Sequence, residues 1–260
     1  MVGLPPNQQT FSRRQFCLTL GTLVAGAACS DSTAPFVPDP QIPRLAVRPG
    51  RPSGTIAPGL YRLHTEATSS LLLVPEAYTP NSPLPLVLAL HGAGSEAQGP
   101  INFLGPYAES GPFIMLAPES AGGTWDGVEG IYGPDLVTID AALRLTFARC
   151  AVDAARISIE GFSDGASYAL GVGITNPELF SRIVAFSPGF VTNAERRGSK
   201  PRIFVSHGTR DGVLAIETTS RVIVPELRAD GYDVTYVEFD GPHAMPADIA
   251  SSAVVFMLSR

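Results

Sequence analysis

Charged residues are scarce in this 260-residue sequence: they make up 16% of it, and lysine occurs once, at Lys200. The 24 acidic residues outnumber the 18 basic ones, so the formal net charge is −6. No run of lysine and arginine is present, although a protein that binds nucleic acid needs a basic surface to pair with phosphates. The composition therefore predicts no nucleic-acid partner, and its 45% of hydrophobic residues indicates a folded core.

Cysteine is equally rare, with only Cys17, Cys29 and Cys150 in the chain. A disulfide framework is excluded unless Cys29 pairs with Cys150, so the folded part must depend on its core. No histidine and cysteine group has the spacing of metal ligands, and no Gly-x-Gly-x-x-Gly follows a predicted strand. We therefore expect neither a metal nor a cofactor.

A hydrophobic run long enough to cross a bilayer is missing, because the run over 16–28 has about 13 residues where about 20 are needed. A short apolar run after the pair Arg13-Arg14 is typical of a secretion signal. The segment 12–16 also resembles the twin-arginine export motif. These features predict an export signal over residues 1–28.

Cys29 ends this run and resembles the acylated cysteine of bacterial lipoproteins, although Gly26 stands where those proteins usually have leucine. The two alternatives are a lipid on Cys29 that anchors the chain to a membrane and simple cleavage of the signal. The protein is expected to be exported, either as a lipoprotein of the periplasm or cell envelope or in secreted form.

Proline, serine and glycine dominate residues 29–58, which show no hydrophobic period and are predicted to be an extended tether. Strand-like and helix-like segments alternate from residue 59 to residue 260, as in a parallel sheet with helices on both faces. Strands are predicted over 59–64, 69–74, 84–90, 113–117, 156–160, 183–186, 202–207 and 234–240. Helices are predicted over 135–149, 163–174, 218–229 and 246–258. The sequence leaves the oligomeric state open.

The strongest motif is Gly161-Phe162-Ser163-Asp164-Gly165, which fits Gly-x-Ser-x-Gly and lies between a predicted strand and a predicted helix. Such a serine occupies a tight, strained turn, and glycines on both sides relieve the crowding. The free N–H groups at the start of the following helix then point at the oxyanion of an attacked carbonyl. Ser163 is the candidate nucleophile.

A second motif, His91-Gly92-Ala93-Gly94-Ser95, directly follows the predicted strand over 84–90. Its glycines let the backbone approach the reacting group, so the N–H groups of Ala93 and Asp164 are the candidate oxyanion donors. The Asp164 side chain is a concern, because an inward-facing carboxylate would oppose a developing negative charge.

A serine nucleophile needs a histidine base, and the base needs a carboxylate. In the chain order serine, acid, histidine, His243 follows the last predicted strand and Asp211 lies in the loop after the preceding strand. Asp240 and Asp248 are alternative acids. Asp240 lies at the end of its predicted strand, only three residues before His243, and Asp248 lies on the last predicted helix, so Asp211 is favoured.

The segments HGAGS, GFSDGAS, HGTRDGV and DGPHAMP resemble the α/β-hydrolase serine esterases over residues 59–260. The likeness is to the phospholipase/carboxylesterase and dienelactone-hydrolase-like group, including polyhydroxybutyrate-depolymerase-type and feruloyl-esterase-type enzymes. It implies an α/β-hydrolase fold without a large lid, a Ser163–Asp211–His243 triad, and cofactor-free hydrolysis of small or polymer-attached acyl esters.

Trp125 is the only tryptophan and lies in a glycine-rich loop over 119–132, where it is expected either to line the substrate site or to pack the loop onto the core. Three functional alternatives stay open at this point. A thioesterase or a peptidase would use the same triad, and a non-catalytic binding protein would keep only the scaffold.

Overall fold

An eight-stranded sheet runs through the part of the chain that this computed structural model describes, residues 35–65 and 67–259. The strand order is β1-β2-β4-β3-β5-β6-β7-β8. Strand β2 pairs antiparallel with both of its neighbours, β1 and β4. The six strands β4, β3, β5, β6, β7 and β8 are parallel to one another. The strands are β1 (Gly59–His64), β2 (Ser69–Val74), β3 (Leu84–Leu90), β4 (Ile114–Pro118), β5 (Val152–Phe162), β6 (Arg182–Phe186), β7 (Arg202–Gly208) and β8 (Val234–Phe239).

Helices cover both faces of the sheet, so the central strands are apolar on both sides. Side chains of α2, α3 and α4 join one hydrophobic cluster, and side chains of α1 and α5 join a second cluster on the opposite face. The helices are α1 (Gln98–Ser110), α2 (Pro134–Arg149), α3 (Asp164–Thr175), α4 (Ser220–Ala229) and α5 (Ala247–Leu258). The predicted architecture is confirmed, and the parallel strands bring the loops after β3, β5, β7 and β8 to one edge.

Helix α1 is the one long element that the sequence did not predict. It contains Gly99, Pro100, Gly105 and Pro106, and glycine and proline are the weakest helix formers. The helix is held by tertiary packing instead, since Ile101 and Leu104 are buried against the sheet. Packing therefore overrides propensity here.

The predicted tether over 29–58 is wrong for residues 36–58, because residues from Phe36 onward form one unit with the sheet. Leu45 and Val47 are buried in the same cluster as α2 and α3. The N–H groups of Ala46 and Val47 each donate to Asp140 Oδ1 at 2.8 Å. The prolines make this segment extended, but its apolar side chains and backbone donors have partners on the domain.

None of the described residues spans a membrane as a helix, since no helix is both long and apolar enough. Residues 1–28 and Cys29, to which the export and lipid predictions refer, lie outside the described part of the chain.

Replacing Asp140 by alanine should destabilise the fold by roughly 2–4 kcal/mol, because two N–H groups lose a buried, charged acceptor. Urea unfolding followed by circular dichroism measures the loss. The matched control is Asp233→Ala, which breaks an exposed ion pair with Arg202 and should cost less than about 1 kcal/mol. Equal losses in the two variants would show that the bonds from Ala46 and Val47 to Asp140 contribute no docking energy.

Candidate active site

Ser163 lies between β5 and α3 in a backbone conformation that residues other than glycine rarely adopt, with φ 58° and ψ −120°. Its N–H donates to the Phe186 carbonyl at 2.9 Å, and its own carbonyl accepts from the N–H groups of Ala166 and Ser167. The strained turn is thus held by β6 on one side and by the first turn of α3 on the other. It presents the Ser163 side chain at the carboxyl edge of the sheet.

The two glycines that flank Ser163 are required by close backbone contacts. A Cβ on Gly161 would lie 2.2 Å from the Gly165 carbonyl oxygen. A Cβ on Gly165 would lie 2.4 Å from the His91 carbonyl oxygen and 2.5 Å from that of Leu90. Helix α3 therefore approaches the end of β3 so closely that only glycine fits at position 165.

The two predicted oxyanion donors lie beside this turn. Ala93 lines the same cavity as Ser163, and Asp164 is the first residue of α3. Within the described part of the chain, neither backbone N–H has a hydrogen-bond acceptor. Free N–H groups at a helix N-terminus and in an adjacent glycine loop can bind a developing negative charge.

The carboxylate of Asp164 does not face the free N–H groups but accepts a hydrogen bond from Thr124 Oγ1 at 2.7 Å. The same loop, residues 119–132, also holds the neighbouring glycine loop, since the Gly94 N–H donates to the Gly123 carbonyl at 2.7 Å. Asp135 anchors this loop by accepting from the N–H groups of Ala121 and Asp126. The loop thus turns the Asp164 charge away from the site.

Asp211 and His243, which lie 32 residues apart, meet at this edge of the sheet, with His243 Nδ1 2.6 Å from Asp211 Oδ2. Burial alone would raise the Asp211 pKa, but the N–H groups of Leu214 and Val213 and the bond to His243 together hold that pKa below its usual value. The acid is therefore ionised and holds the imidazole in one orientation. His243 lines the cavity together with Ser163.

His207 is a positioning residue that sequence reasoning did not assign. It is fully buried, its Nε2 donates to the Leu214 carbonyl at 2.8 Å, and its Nδ1 accepts from Ser220 Oγ at 2.6 Å. Nε2 also lies 3.1 Å from Asp211 Oδ2. Burial holds the His207 pKa below its usual value, so the neutral ring braces the Asp211 loop.

A cavity of about 390 Å³ opens in front of Ser163, a volume near the lower end of the range for small-molecule sites. Its walls come from the loop after β3, from α1, from the end of β5 and from the loops after β7 and β8. They are mainly apolar, with Leu90, Pro100, Phe103, Leu104, Phe162, Val213 and Met245 among the lining residues.

Trp125 does not line this cavity, which corrects its predicted role as a wall of the substrate site. Its side chain is fully buried, and its indole N–H donates to the His91 carbonyl at 2.8 Å. The ring stacks on Tyr168 and lies against His91. Trp125 therefore packs the loop onto the core, because its only polar atom finds a buried partner there.

Glu160 is a cavity residue that sequence reasoning missed, since it was read only as part of a strand. The residue is 2% exposed, and burial raises its pKa to about 8. It lines the cavity together with Phe162. A charged residue at the end of the predicted strand, directly before the Gly161–Gly165 motif, was the available signal.

No group of three or more histidine, cysteine, aspartate or glutamate side chains in residues 35–65 and 67–259 is arranged to hold a metal ion. Cys150 has no disulfide partner among the described residues; it is fully buried, and burial raises its pKa to about 11, so it is a core residue. The chemistry available at this site is that of Ser163, His243, Asp211 and the free N–H groups beside them.

Substituting Gly165 by alanine should abolish soluble folding or cost at least about 3 kcal/mol, because the new methyl group would collide with two backbone carbonyls. Thermal unfolding measures the effect. Gly123→Ala is the control, since a Cβ there meets nothing within 4 Å, and it should change stability by less than about 0.5 kcal/mol. Similar stability of the two variants would contradict the close approach of α3 to β3.

Replacing Glu160 by glutamine should stabilise the fold increasingly as the pH rises from about 5 to 8. The folded state holds the Glu160 proton more tightly than the unfolded state, so the wild type loses stability over this window. The gap between variant and wild type should widen by at most about 1.4 kcal/mol per pH unit in urea unfolding. Glu226→Gln, at an exposed position on α4, should give a flat difference, and a flat difference for Glu160→Gln would contradict its burial as a neutral acid.

The chain is similar in sequence to known esterases. Residues 136–246 match the phospholipase/carboxylesterase family. The chain is 23% identical over 193 residues to the probable feruloyl esterase C of Aspergillus oryzae, a match that covers 70% of this chain and 68% of that protein.

Solved structures of esterases share the fold. Esterase PE8 matches with a TM-score of 0.56 at 24% identity, covering 72% of this chain and 95% of its own. A CE1 ferulic acid esterase from Anaeromyces mucronatus, in complex with ferulic acid, matches with a TM-score of 0.58 at 18% identity. This match covers 80% of this chain and 93% of the esterase chain. The chain is a carboxylic ester hydrolase with the α/β-hydrolase fold.

Proposed function

We propose that the protein hydrolyses small carboxylic esters through an acyl-enzyme formed on Ser163, with His243 as the base and Asp211 as the acid that orients it. The observation that carries the proposal is the 2.6 Å bond between Asp211 and His243 at the cavity that also holds the strained Ser163 turn. Ser163 and His243 line one cavity although they lie in separate loops, and Asp211, from a third loop, is bonded to His243 behind it.

The proposed reaction has two halves. His243 takes the Ser163 proton as the oxygen attacks the ester carbonyl, and it then returns the proton to the departing alcohol. A water molecule, deprotonated by the same imidazole, then attacks the acyl carbonyl, and His243 passes the proton to the Ser163 oxygen as the acid leaves. Asp211 stabilises the imidazolium in both halves, which its lowered pKa supports.

The N–H groups of Ala93 and Asp164 are the proposed oxyanion donors. Their lack of acceptors among the described residues supports this role, as does the position of Asp164 at the start of α3. The Thr124 hydroxyl keeps the Asp164 carboxylate engaged elsewhere. The residue that raised doubt about catalysis can thus contribute its backbone while its side chain stays out of the way.

The substrate class that we propose is an ester with a small acyl group, either free or attached to a polymer. The cavity volume of about 390 Å³ and the apolar walls support a small acyl group over a long lipid chain. The likeness to a feruloyl esterase supports acyl groups of that kind as candidates.

We further propose that residues 1–28 are an export signal, that Cys29 carries the lipid of a cell-envelope protein, and that the catalytic domain follows. The Arg13-Arg14 pair and the short apolar run after it support export. The docking of residues from Phe36 onward on the sheet shortens the proposed tether to a few residues after Cys29. Palmitate labelling of the expressed protein would test the anchor.

Ser163→Ala should lower the hydrolysis of p-nitrophenyl acetate by at least about 10³-fold, because the nucleophile is lost. Initial rates at neutral pH measure the effect. Ser252→Ala, at an exposed serine on α5, is the matched control and should keep the wild-type rate.

Equal rates for the wild type and Ser163→Ala would overturn the proposed triad and favour a binding protein on a hydrolase scaffold. The wild type should also prefer p-nitrophenyl butyrate to the dodecanoate, since the cavity cannot enclose the longer chain. A preference for the dodecanoate would contradict the proposed substrate class.

A further inference from the structure

The side chain of Glu160 is placed in the cavity by its position on β5. Residue 160 pairs with Ala89 on β3 and with Val184 on β6, and both of these belong to the cluster on the α1/α5 face. Side chains alternate along a strand, so Glu160 and Phe162 point to that same face. Residues of α1 line the cavity opposite them.

Glu160 differs from every other buried acid among the described residues. Asp135, Asp140 and Asp211 each accept at least two backbone N–H bonds. No described residue offers Glu160 a hydrogen-bond donor or a cation, and desolvation by burial is what raises its pKa. A buried carboxyl group without a hydrogen-bond partner is unusual, because most buried polar groups in folded proteins are hydrogen-bonded.

Glu160 lies on β5 three residues before Ser163, farther from the carboxyl edge of the sheet, and we call the part of the cavity that it lines the floor. A strand rises about 3.3 Å per residue, so residue 160 lies about 7 Å deeper along β5 than Phe162. The side chain of His243 is 14% exposed, and an alcohol must leave past it to collect a proton. The acyl group, still bonded to Ser163, is therefore the part that occupies the deep end.

We propose that Glu160 determines acyl specificity, by hydrogen-bonding a hydroxyl group at the far end of the acyl chain. The preferred substrates are then esters of small hydroxy acids whose chain is long enough to carry the hydroxyl from Ser163 back along β5 to Glu160. This inference rests on the proposed ester hydrolysis at Ser163 and adds the acyl class to it.

The neutral state of Glu160 decides between a hydroxyl and a cation as the ligand. A protonated carboxyl group is both a donor and an acceptor, which is what a hydroxyl group needs. An acyl chain that ends in a methyl group would leave the buried acid unpaired. A cationic chain would have to ionise an acid that the apolar surroundings keep neutral.

The test compares two esters of equal length, methyl 6-hydroxyhexanoate and methyl heptanoate, by kcat/KM in a pH-stat at neutral pH. The wild type should prefer the hydroxy ester by at least about tenfold. Glu160→Met should reverse this preference, because the floor becomes apolar. Glu160→Gln should keep it, because an amide also donates and accepts.

The matched control is Ser158→Ala, which changes a buried residue on the same face of β5 that does not line the cavity. It should leave the ratio of the two esters unchanged. Methyl 6-aminohexanoate tests the competing ligand: preference for this ester, lost in Glu160→Gln, would overturn the proposal in favour of a cation. Equal kcat/KM for all three esters in the wild type would also overturn it.

A separate measurement distinguishes failure of this inference from failure of the proposed function. In Ser163→Ala, methyl 6-hydroxyhexanoate should raise Tm without being cleaved, and adding Glu160→Met should remove that shift. A shift of the same size with and without Glu160→Met would overturn the specificity role. Absence of hydrolysis of every ester by the wild type, with the shift present, would instead overturn the proposed function alone.

Discussion

The site depends on one close backbone approach, that of Gly165 at the start of α3 to the carbonyl groups of Leu90 and His91 at the end of β3. No side chain fits in that contact, since a Cβ would lie 2.4 Å from the His91 carbonyl oxygen. The approach brings the free N–H of Asp164 beside the glycine loop that carries Ala93. A nucleophile and two anion-binding donors can therefore occupy one small volume.

The loop over 119–132 keeps this arrangement rigid from behind. Trp125 fills the space under the glycine loop and bonds the His91 carbonyl, while Gly123 and Thr124 hold Gly94 and Asp164. A buried aspartate, Asp135, in turn anchors the loop itself. The loop does not line the cavity, but its Thr124 holds the Asp164 side chain. A catalytic role for the Asp164 N–H requires that the carboxylate of the same residue be held elsewhere.

Two kinds of buried acid have opposite consequences in this molecule. Asp211 is held ionised by the N–H groups of Leu214 and Val213 and by His243, so it can stabilise a positive charge. Glu160 lacks such donors, and burial keeps it protonated at the floor of the cavity. The difference follows from local backbone: a loop offers free N–H groups, whereas a strand in the middle of a sheet has already used them.

The sequence by itself determined the strand and helix alternation, the Ser163 turn, and the order in which Asp211 and His243 follow it. Hydrophobic period and glycine spacing are local, so they can be read without the fold. Helix α1 was missed because its glycines and prolines hide a helix that only packing on the sheet stabilises. Only the tertiary structure decided that Trp125 is core, that residues from Phe36 onward dock on the domain, and that Glu160 faces the cavity. Each of these three features depends on which residues, distant in sequence, pack around the side chain. A local sequence pattern does not contain that information.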